Sequence, residues 1–514
     1  MTRGNDLPRG WVTSTLGEVC SRPQYGWTTK ANPSTGTVRL LRTTDITPGW
    51  VDWSSVPYCS ENPPDISKYR LQENDIVISR AGSVGASFLL SDVPEEAVFA
   101  SYLIRFQPLE PISPKFIAYF LQTPDYWSAI TERSSGIALP NVNARKLESI
   151  QIPLAPNAEQ HRIVAKIEEL FSDLDAGVAA LGRAKANLKR YRAAVLKAAV
   201  EGKLTEEWRK ENPPSEPASE LLKRILAERR KKWEEEQLGK YEANGKKPPK
   251  NWKDTYKEPL RPDTEKLPPL PDGWCWTTTD ALFTFVTSGS RGWAKYYSEL
   301  GSLFLRVGNL DRLSITLDLR EVQRVTPPKG AEGRRTRVQE GDILISITAD
   351  LGMIALVPDY LDECFINQHV ALARAVSSIS RPYVAWFLAS EYGQRQFGRM
   401  QRGATKKGLG LDDIRGVQVP LPPVREQEEI AAAIESRFSN CAAAEVNVLV
   451  SSARAQRLRQ SILKRAFEGK LVEQDPSDEP ASTLLERIRG ERTKSGEPKK
   501  GIFRKAKNSQ LKLL

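Results

Sequence analysis

One stretch of this chain occurs twice, and no other feature constrains the fold as tightly. It opens at Pro153-Leu154-Ala155-Pro156, passes through Glu159-Gln160, runs on without a proline, and stops at Glu201-Gly202-Lys203-Leu204. The same features return at Pro420-Leu421-Pro422-Pro423, Glu426-Gln427 and Glu468-Gly469-Lys470-Leu471, always 267 residues later. A constant offset over so long a stretch means two copies of one architectural unit.

Each copy reads as one long helix. The prolines ahead of it hold the entry extended. Gly202 and Gly469 fit the left-handed position just past a helix end. From Glu159 to Gly202 is 44 residues, about 66 Å of helix at about 1.5 Å per residue. Ile163, Ile167, Leu170, Leu174, Gly177, Leu181, Ala184, Leu188, Tyr191, Val195 and Ala198 alternate steps of four and three, which is a heptad seam for packing on another helix. In the second copy Ile430, Ile434, Cys441, Ala444, Val448, Ala455, Leu458 and Ile462 keep that register, with Arg437, Ser451 and Arg465 interrupting it. Either each helix packs on its own domain, or the two pack on each other as a spacer.

The segments ahead of the helices are also duplicated. Leu7-Pro8-Arg9-Gly10-Trp11 returns as Leu270-Pro271-Asp272-Gly273-Trp274, and Gln72 to Ser79 returns as Gln339 to Ser346. Strand-like runs fall at Val38–Leu41, Asp75–Ser79 and Tyr102–Phe106. An amphipathic helix is expected from Pro114 to Ile130, then a loop from Ser134 to Asn143 and a strand at Ile150–Ile152. The chain therefore divides into a globular domain at 1–152, a long helix at 153–204, a second domain at 270–419 and a second long helix at 420–471. Between them, 205–269 reads as a charged linker with nine prolines and one helix from Ser219 to Gln237. After the second helix, Glu479-Pro480-Ala481-Ser482 echoes Glu216-Pro217-Ala218-Ser219. Residues 472–514 are expected to be a basic, disordered tail, since Arg487 to Leu514 carries ten basic and two acidic residues.

The net charge of +11 favours a polyanionic partner, most simply nucleic acid. No run of apolar residues is long enough to span a membrane, and the first residues lack the apolar core of a signal peptide. Five dispersed cysteines suit a reducing cytoplasm and form no zinc-binding pair. Catalytic motifs are wanting as well. The glycines and lysines of 239–247 have the wrong spacing for a phosphate loop. His161 and His369 stand in no metal-ligand spacing. Asn62-Pro63-Pro64 and Asn212-Pro213-Pro214 begin like the amino-methyltransferase motif, but Asp65 and Ser215 stand where a base-stacking aromatic is needed. Both read as turns. Asp75 and Asp342 close polar turns ahead of buried strands rather than forming a nuclease site. The expectation is no catalytic residue, no bound cofactor and no metal.

The doubled Leu-Pro-x-Gly-Trp openings, Pro-Leu-x-Pro…Glu-Gln entries and Glu-Gly-Lys-Leu exits resemble the specificity subunit of type I restriction–modification systems, over nearly the whole length and twice in order. That resemblance implies an α/β fold class: two α+β target recognition domains in internal tandem duplication, with the long helices forming an antiparallel coiled-coil spacer. It implies a non-catalytic subunit that binds double-stranded DNA, two methyltransferase (modification) subunits and, in the full complex, two restriction (motor and nuclease) subunits. S-adenosylmethionine, ATP and Mg²⁺ would belong to those partners, and the location would be cytoplasmic, with no membrane. The alternatives are a protein-only coiled-coil adaptor, or a methyltransferase or nuclease in its own right.

The helix length is about two turns of B-DNA at roughly 34 Å per turn, so a bipartite site with an unread middle is geometrically natural. Diverged loops would make the halves differ. Arginine and lysine pair with guanine edges, asparagine with adenine. The loop candidates for DNA contact are Arg42, Arg80, Arg133, Asn141, Asn143, Arg145 and Lys146 in the first domain. In the second they are Arg306, Arg399, Arg402, Lys406 and Lys407.

Overall fold

The computed structural model describes residues 7–134, 141–328, 330–401 and 408–494. The chain forms two compact units, one of Met1–Gly182 with Leu449–Leu514 and one of Arg183–Val448. Each unit contains one α/β domain and part of both long helices, which run from Asn157 to Val200 and from Val424 to Phe467, 44 residues each.

In the first unit, the opening strand Val12–Thr15 pairs antiparallel with the closing strand Gln151–Leu154, Val12 opposite Leu154. This pairing returns the end of the domain to its start, so the helix begins beside the opening motif. One four-stranded sheet runs Gln24–Tyr25, Leu103–Phe106, Ile76–Ser79, Ser87–Leu89, all antiparallel. Another runs Ala31–Asn32, Tyr58–Cys59, Arg39–Leu41, Ala97–Phe99, with the last pair parallel. Ile76–Ser79 and Leu103–Phe106 are buried along their whole length. The run Ile76-Val77-Ile78 is what a strand covered on both faces requires, while Arg105 in the other strand reaches Asp75 at 3.6 Å. The second unit repeats this topology with Phe283–Ser288, Val370–Ala375, Ile343–Ser346 and Ile354–Leu356 in one sheet. Tyr297–Ser298, Gln323–Val325, Ser302–Leu305 and Cys364–Ile366 form the other, and Cys275–Thr278 pairs with Gln418–Leu421.

The duplicated motifs are fastenings between domain and helix. Trp11 Nε1 donates to Glu159 Oε2 at 3.0 Å, and Trp274 Nε1 to Glu426 Oε2 at 2.9 Å. The next residue closes a second link: Ser113 N donates to Gln160 Oε1 at 3.0 Å, and Ser380 N to Gln427 Oε1 at 2.9 Å. Each glutamine spends its amide on a carbonyl five residues upstream, Ala155 or Pro422. Buried polar groups seek partners, and here the indole N–H groups and the Ser113 and Ser380 N–H groups find theirs across the domain–helix junction. Gly202 and Gly469 end their helices at φ +70° and +67°. Added Cβ atoms there would lie 2.5 Å from Pro271 Cγ and 2.3 Å from Pro8 Cγ, so close approach as well as handedness requires glycine.

The two long helices pair within each unit. In the first, Asp175 of one meets Arg459 of the other at 2.9 Å, and the Arg459 guanidinium lies 4.1 Å from the Phe171 ring centre. In the second, Arg192 meets Glu445 at 3.1 Å and covers Phe438. Numbers rise along one helix as they fall along the other, so the pair is antiparallel. The expected seam is buried at Ile163 and Ile167 in the first unit and at Val195, Ile430, Ile434 and Cys441 in the second.

Three expectations need correction. The helix expected from Pro114 to Ile130 is two helices, Pro114–Phe120 and Pro124–Ser134. Proline disfavours helix in the residue before it, and Thr123 there accepts from Tyr126 N as a new cap. Next, the segment 205–269 is folded onto the second domain. Its helix extends over Ala218–Ala243 and buries Leu221 and Ile225. Arg229 donates to the carbonyls of Asp280 and Phe283, Thr278 Oγ1 to Leu260 O at 2.7 Å, and Trp233 stacks on Trp252.

The third correction concerns the tail. Within it, Ala481–Lys494 is a helix that buries Leu484, Leu485 and Ile488 in the core of the first unit. Arg492 donates to the carbonyls of Gly17 and Cys20, the arrangement of Arg229 with Asp280 and Phe283 shifted by 263 residues. Ala218 N donates to Gly273 O and Ala481 N to Gly10 O, both at 2.8 Å. The echo of Glu-Pro-Ala-Ser thus marks two equivalent docking helices, and apolar burial outweighs the charge on their outer faces. Residues 495–514 lie outside the described residues.

Candidate nucleic-acid interface

In the first domain, several loops meet where Ile76–Ser79 ends. The turn after it is closed by Gly85 N donating to Ser79 O at 2.9 Å, and Gly82 and Gly85 adopt φ +77° and +86°. Arg80 is held by its backbone on both sides: its N–H donates to Tyr102 O at 2.9 Å, and its carbonyl accepts from Val142 N at 3.1 Å. Tyr25, at the end of an edge strand, accepts at its hydroxyl from Ala144 N at 3.0 Å. Its ring centre lies 4.9 Å from the Arg80 guanidinium. Gly26 follows, where an added Cβ would lie 2.3 Å from Phe99 O and Ala100 O. Thr43 Oγ1 reaches Ser79 Oγ at 3.3 Å, which brings the turn of Arg42 to the same end.

The candidates of the first domain are therefore gathered in one neighbourhood, but they are not equivalent. Arg42 grips Asp45 with Nη2 at 2.7 Å from Oδ1 and Nε at 3.0 Å from Oδ2, and that pairing raises its pKa. Arg133 donates to Ala129 O and Ser149 O. Asn143 caps the helix Ala144–Glu148 by accepting from Lys146 N at 2.9 Å. Lys146 Nζ donates to Arg133 O. Asn141 is half-buried and Arg145 exposed. Sequence reasoning missed Tyr25 and Tyr102, the latter 63% exposed. The available signal was an aromatic residue directly bordering a strand at a loop.

The second domain builds the same place with other chemistry. Gly352 N returns to Ser346 O at 2.9 Å, so the turn has the same length as its counterpart. Ile347 occupies the position of Arg80, and Leu409 N donates to Ile347 O at 3.0 Å as Val142 N does to Arg80. His369 occupies the position of Tyr102. Its Nδ1 lies 2.5 Å from Thr348 Oγ1 and its Nε2 2.9 Å from Gln368 Nε2. Asp350 in the turn pairs with Arg312 at 3.4 Å. Arg306 precedes the turn Val307–Asn309, and its N–H donates to Asn309 Oδ1 at 2.9 Å. Arg399 is exposed on the helix Glu391–Met400. Arg402, Lys406 and Lys407 lie outside the described residues.

The conspicuous carboxylates serve the scaffold. Asp75 accepts from Gln72 N at 2.9 Å and Gln107 Nε2 at 2.8 Å. Burial pushes its pKa up, against those hydrogen bonds and nearby Arg105. Asp342 accepts from Gln339 N and takes both arms of Arg374 at 2.7 Å. Each closes a turn ahead of a central strand. Among the described residues no group of three histidine, cysteine or acidic side chains converges as a metal site requires, and no helix is long and apolar enough to cross a membrane.

Residues 8–180 and 332–446 match the family model described as the type I restriction modification DNA specificity domain. The specificity subunit of the type I restriction enzyme EcoKI, from Escherichia coli strain K12, is 26% identical over 517 residues, covering 95% of this chain and 97% of its own. That of EcoBI, from Escherichia coli, is 26% identical over 476 residues, covering 89% and 87%. The fold is that of a solved chain from work on complex assembly and conformational transition of the type I R-M system, with a TM-score of 0.59, 20% identity and coverage of 90% and 99%. The HsdS subunit from Thermoanaerobacter tengcongensis aligns with a TM-score of 0.50 at 20% identity, covering 91% and 100%.

Proposed function

Because this chain belongs to the type I restriction–modification DNA specificity family, we propose that it selects the DNA sequence on which a type I complex acts. Each domain reads one half of a bipartite, asymmetric site in double-stranded DNA. One observation carries the reading: two copies of one scaffold present strand-end turns of equal length and different chemistry. Arg80 faces Tyr25 in one, while Ile347 lies beside the Thr348–His369–Gln368 chain in the other. A scaffold kept while its loops change is how sequence readers diversify, since phosphate contacts position a protein and base contacts specify. The net charge of +11 supports DNA as the ligand through its phosphates.

The chain itself carries recognition and no chemistry. Two modification subunits and two restriction subunits supply methyl transfer, translocation and cleavage, with S-adenosylmethionine, ATP and Mg²⁺ bound on them, in the cytoplasm. The long helices keep the number of unread base pairs fixed, as their matched 44 residues suggest.

The test is an exchange. Residues 12–149 are replaced by the corresponding segment of a related chain, leaving Asn157–Val200 and Val424–Phe467 intact, and methylated positions are mapped in cells carrying the hybrid with its partner subunits. One half-site changes, the other persists, and the spacing holds. Change in both halves, or a shifted spacing, refutes the reading.

A further inference from the structure

We infer that Arg80 reads a guanine edge in the half-site taken by the first domain, with Tyr25 as its positioning residue. The inference rests on the DNA-reading function proposed above. Three of the other basic side chains are already committed. Arg42 is closed on Asp45, Arg133 on two carbonyls, and Lys146 on Arg133 O. Arg80 differs from all three. Its Nε is buried and has no hydrogen-bond partner, and no described residue takes a hydrogen bond from its side chain. Its backbone is nonetheless fixed on both sides, by Tyr102 O and Val142 N.

The Tyr25 ring completes the arrangement. A guanidinium over an aromatic face is attracted to it and held nearly flat, and the Tyr25 hydroxyl is itself tied to Ala144 N. Arg80 has thus lost much of its rotamer freedom before any ligand arrives, which lowers the entropic penalty of binding. Its terminal nitrogens remain as a two-pronged donor. Guanine O6 and N7 are two acceptors side by side in the major groove, the match for that fork. The fork can also grip a phosphate, but such a contact carries no base preference, so the motif itself separates the two. The repeat has Ile347 and Ser288 at the two positions, so this device belongs to one domain alone, as two different half-sites require.

The test uses the full chain with its modification subunits in cells and maps the methylated motif by long-read sequencing. The exchange of residues 12–149 identifies which half the first domain reads. Arg80→Ala and Arg80→Lys should both relax one guanine position in that half by about 10- to 100-fold, with the other half unchanged. Tyr25→Phe keeps the ring and should keep the preference, whereas Tyr25→Ala should weaken it at that same position. A half-site without guanine overturns the inference at once. So does an unchanged motif in Arg80→Ala. If Arg80→Lys retains the full guanine preference, the two-pronged guanidinium is not what reads the base and the inference also falls. None of these results disturbs the DNA-reading function, which fails separately if exchanging 12–149 leaves both halves as they were.

Discussion

The two tryptophan–glutamate fastenings are equivalent in sequence, yet they should respond oppositely to the same substitution. Glu426 is 2% exposed. Its Oε2 accepts from Trp274, and its Oε1 accepts from Thr205 Oγ1 and Arg209 Nε, both at 2.8 Å. Glu159 is 1% exposed. Its Oε2 accepts from Trp11, but its Oε1 is buried with no hydrogen bond. Burial raises the Glu159 pKa, with the Trp11 bond, the charge of nearby Arg162 and Gln474 opposing and Asp478 adding to it. Glutamine keeps an acceptor for the indole in both places. Glu426→Gln removes the anion facing Arg209 and should lose about 1.5–3 kcal/mol, the range for a hydrogen bond to a charged group. Glu159→Gln removes a buried charge that is only half satisfied and should change stability by less than about 1 kcal/mol, towards gain. The pH dependence has a definite sign. A carboxyl with a raised folded pKa stabilises the fold fully below its unfolded value of 4.5 and loses that contribution as pH rises through the folded value. Any advantage of Glu159→Gln over the native chain should thus be present at pH 7 and vanish towards pH 4.5. Hydrogen exchange on the full chain, read separately for peptides of each unit across urea at both pH values, measures it. Equal losses in the two variants would show that the Arg209 and Thr205 contacts contribute nothing, and the reasoning would fail.

Two further outcomes follow from backbone and packing. Ala349 holds φ +61° where the first domain has Gly82 at +77°. Relief of about 1–2 kcal/mol, less the extra chain entropy of glycine at about 0.5–1 kcal/mol, should leave Ala349→Gly slightly more stable in thermal unfolding; a lower melting temperature contradicts this. Ending the chain after Asp478 removes Leu484, Leu485 and Ile488, each no more than 2% exposed and each stabilising by about 1.5–3 kcal/mol as an upper bound. The first unit should then lose several-fold protection in hydrogen exchange at Trp11–Cys20 while the second unit is unchanged; a shared loss would show that the docking helix does not belong to one unit.

Where information was local in the chain, the sequence carried it. The heptad steps, the prolines ahead of each helix and the glycines behind located both helices to within two residues, because periodicity and capping act over a few neighbours. The strand runs at 76–79 and 343–346 were legible for the same reason. The docking helix Ala481–Lys494 was not, since only Ala481, Leu484, Leu485 and Ile488 mark it within a charged stretch, and the surface it covers includes Gly17 and Cys20 at the far end of the chain. In the candidate site, residue type alone chose Arg42 and Arg80 alike. Asp45, three residues on, was a visible sign that Arg42 would be occupied. Nothing near Arg80 in sequence announces Tyr25, which arrives through strand pairing with Ile104.

That contrast explains why the motifs that identify this chain lie apart from the loops proposed to read DNA. Trp11, Glu159, Gln160, Gly202 and their second copies fasten helix to domain, and each buried indole or backbone N–H there depends on an acceptor on the other side, so a change must keep that acceptor. The turns after Ser79 and Ser346 face no such demand. Their ends are fixed by backbone hydrogen bonds, Gly85 N to Ser79 O and Gly352 N to Ser346 O, which any side chains between them leave intact. A cation stacked on tyrosine in one domain and a threonine–histidine–glutamine chain in the other can therefore occupy the same geometric slot without disturbing the frame. Recognition is free to vary at these turns because the contacts that hold the fold have been placed elsewhere.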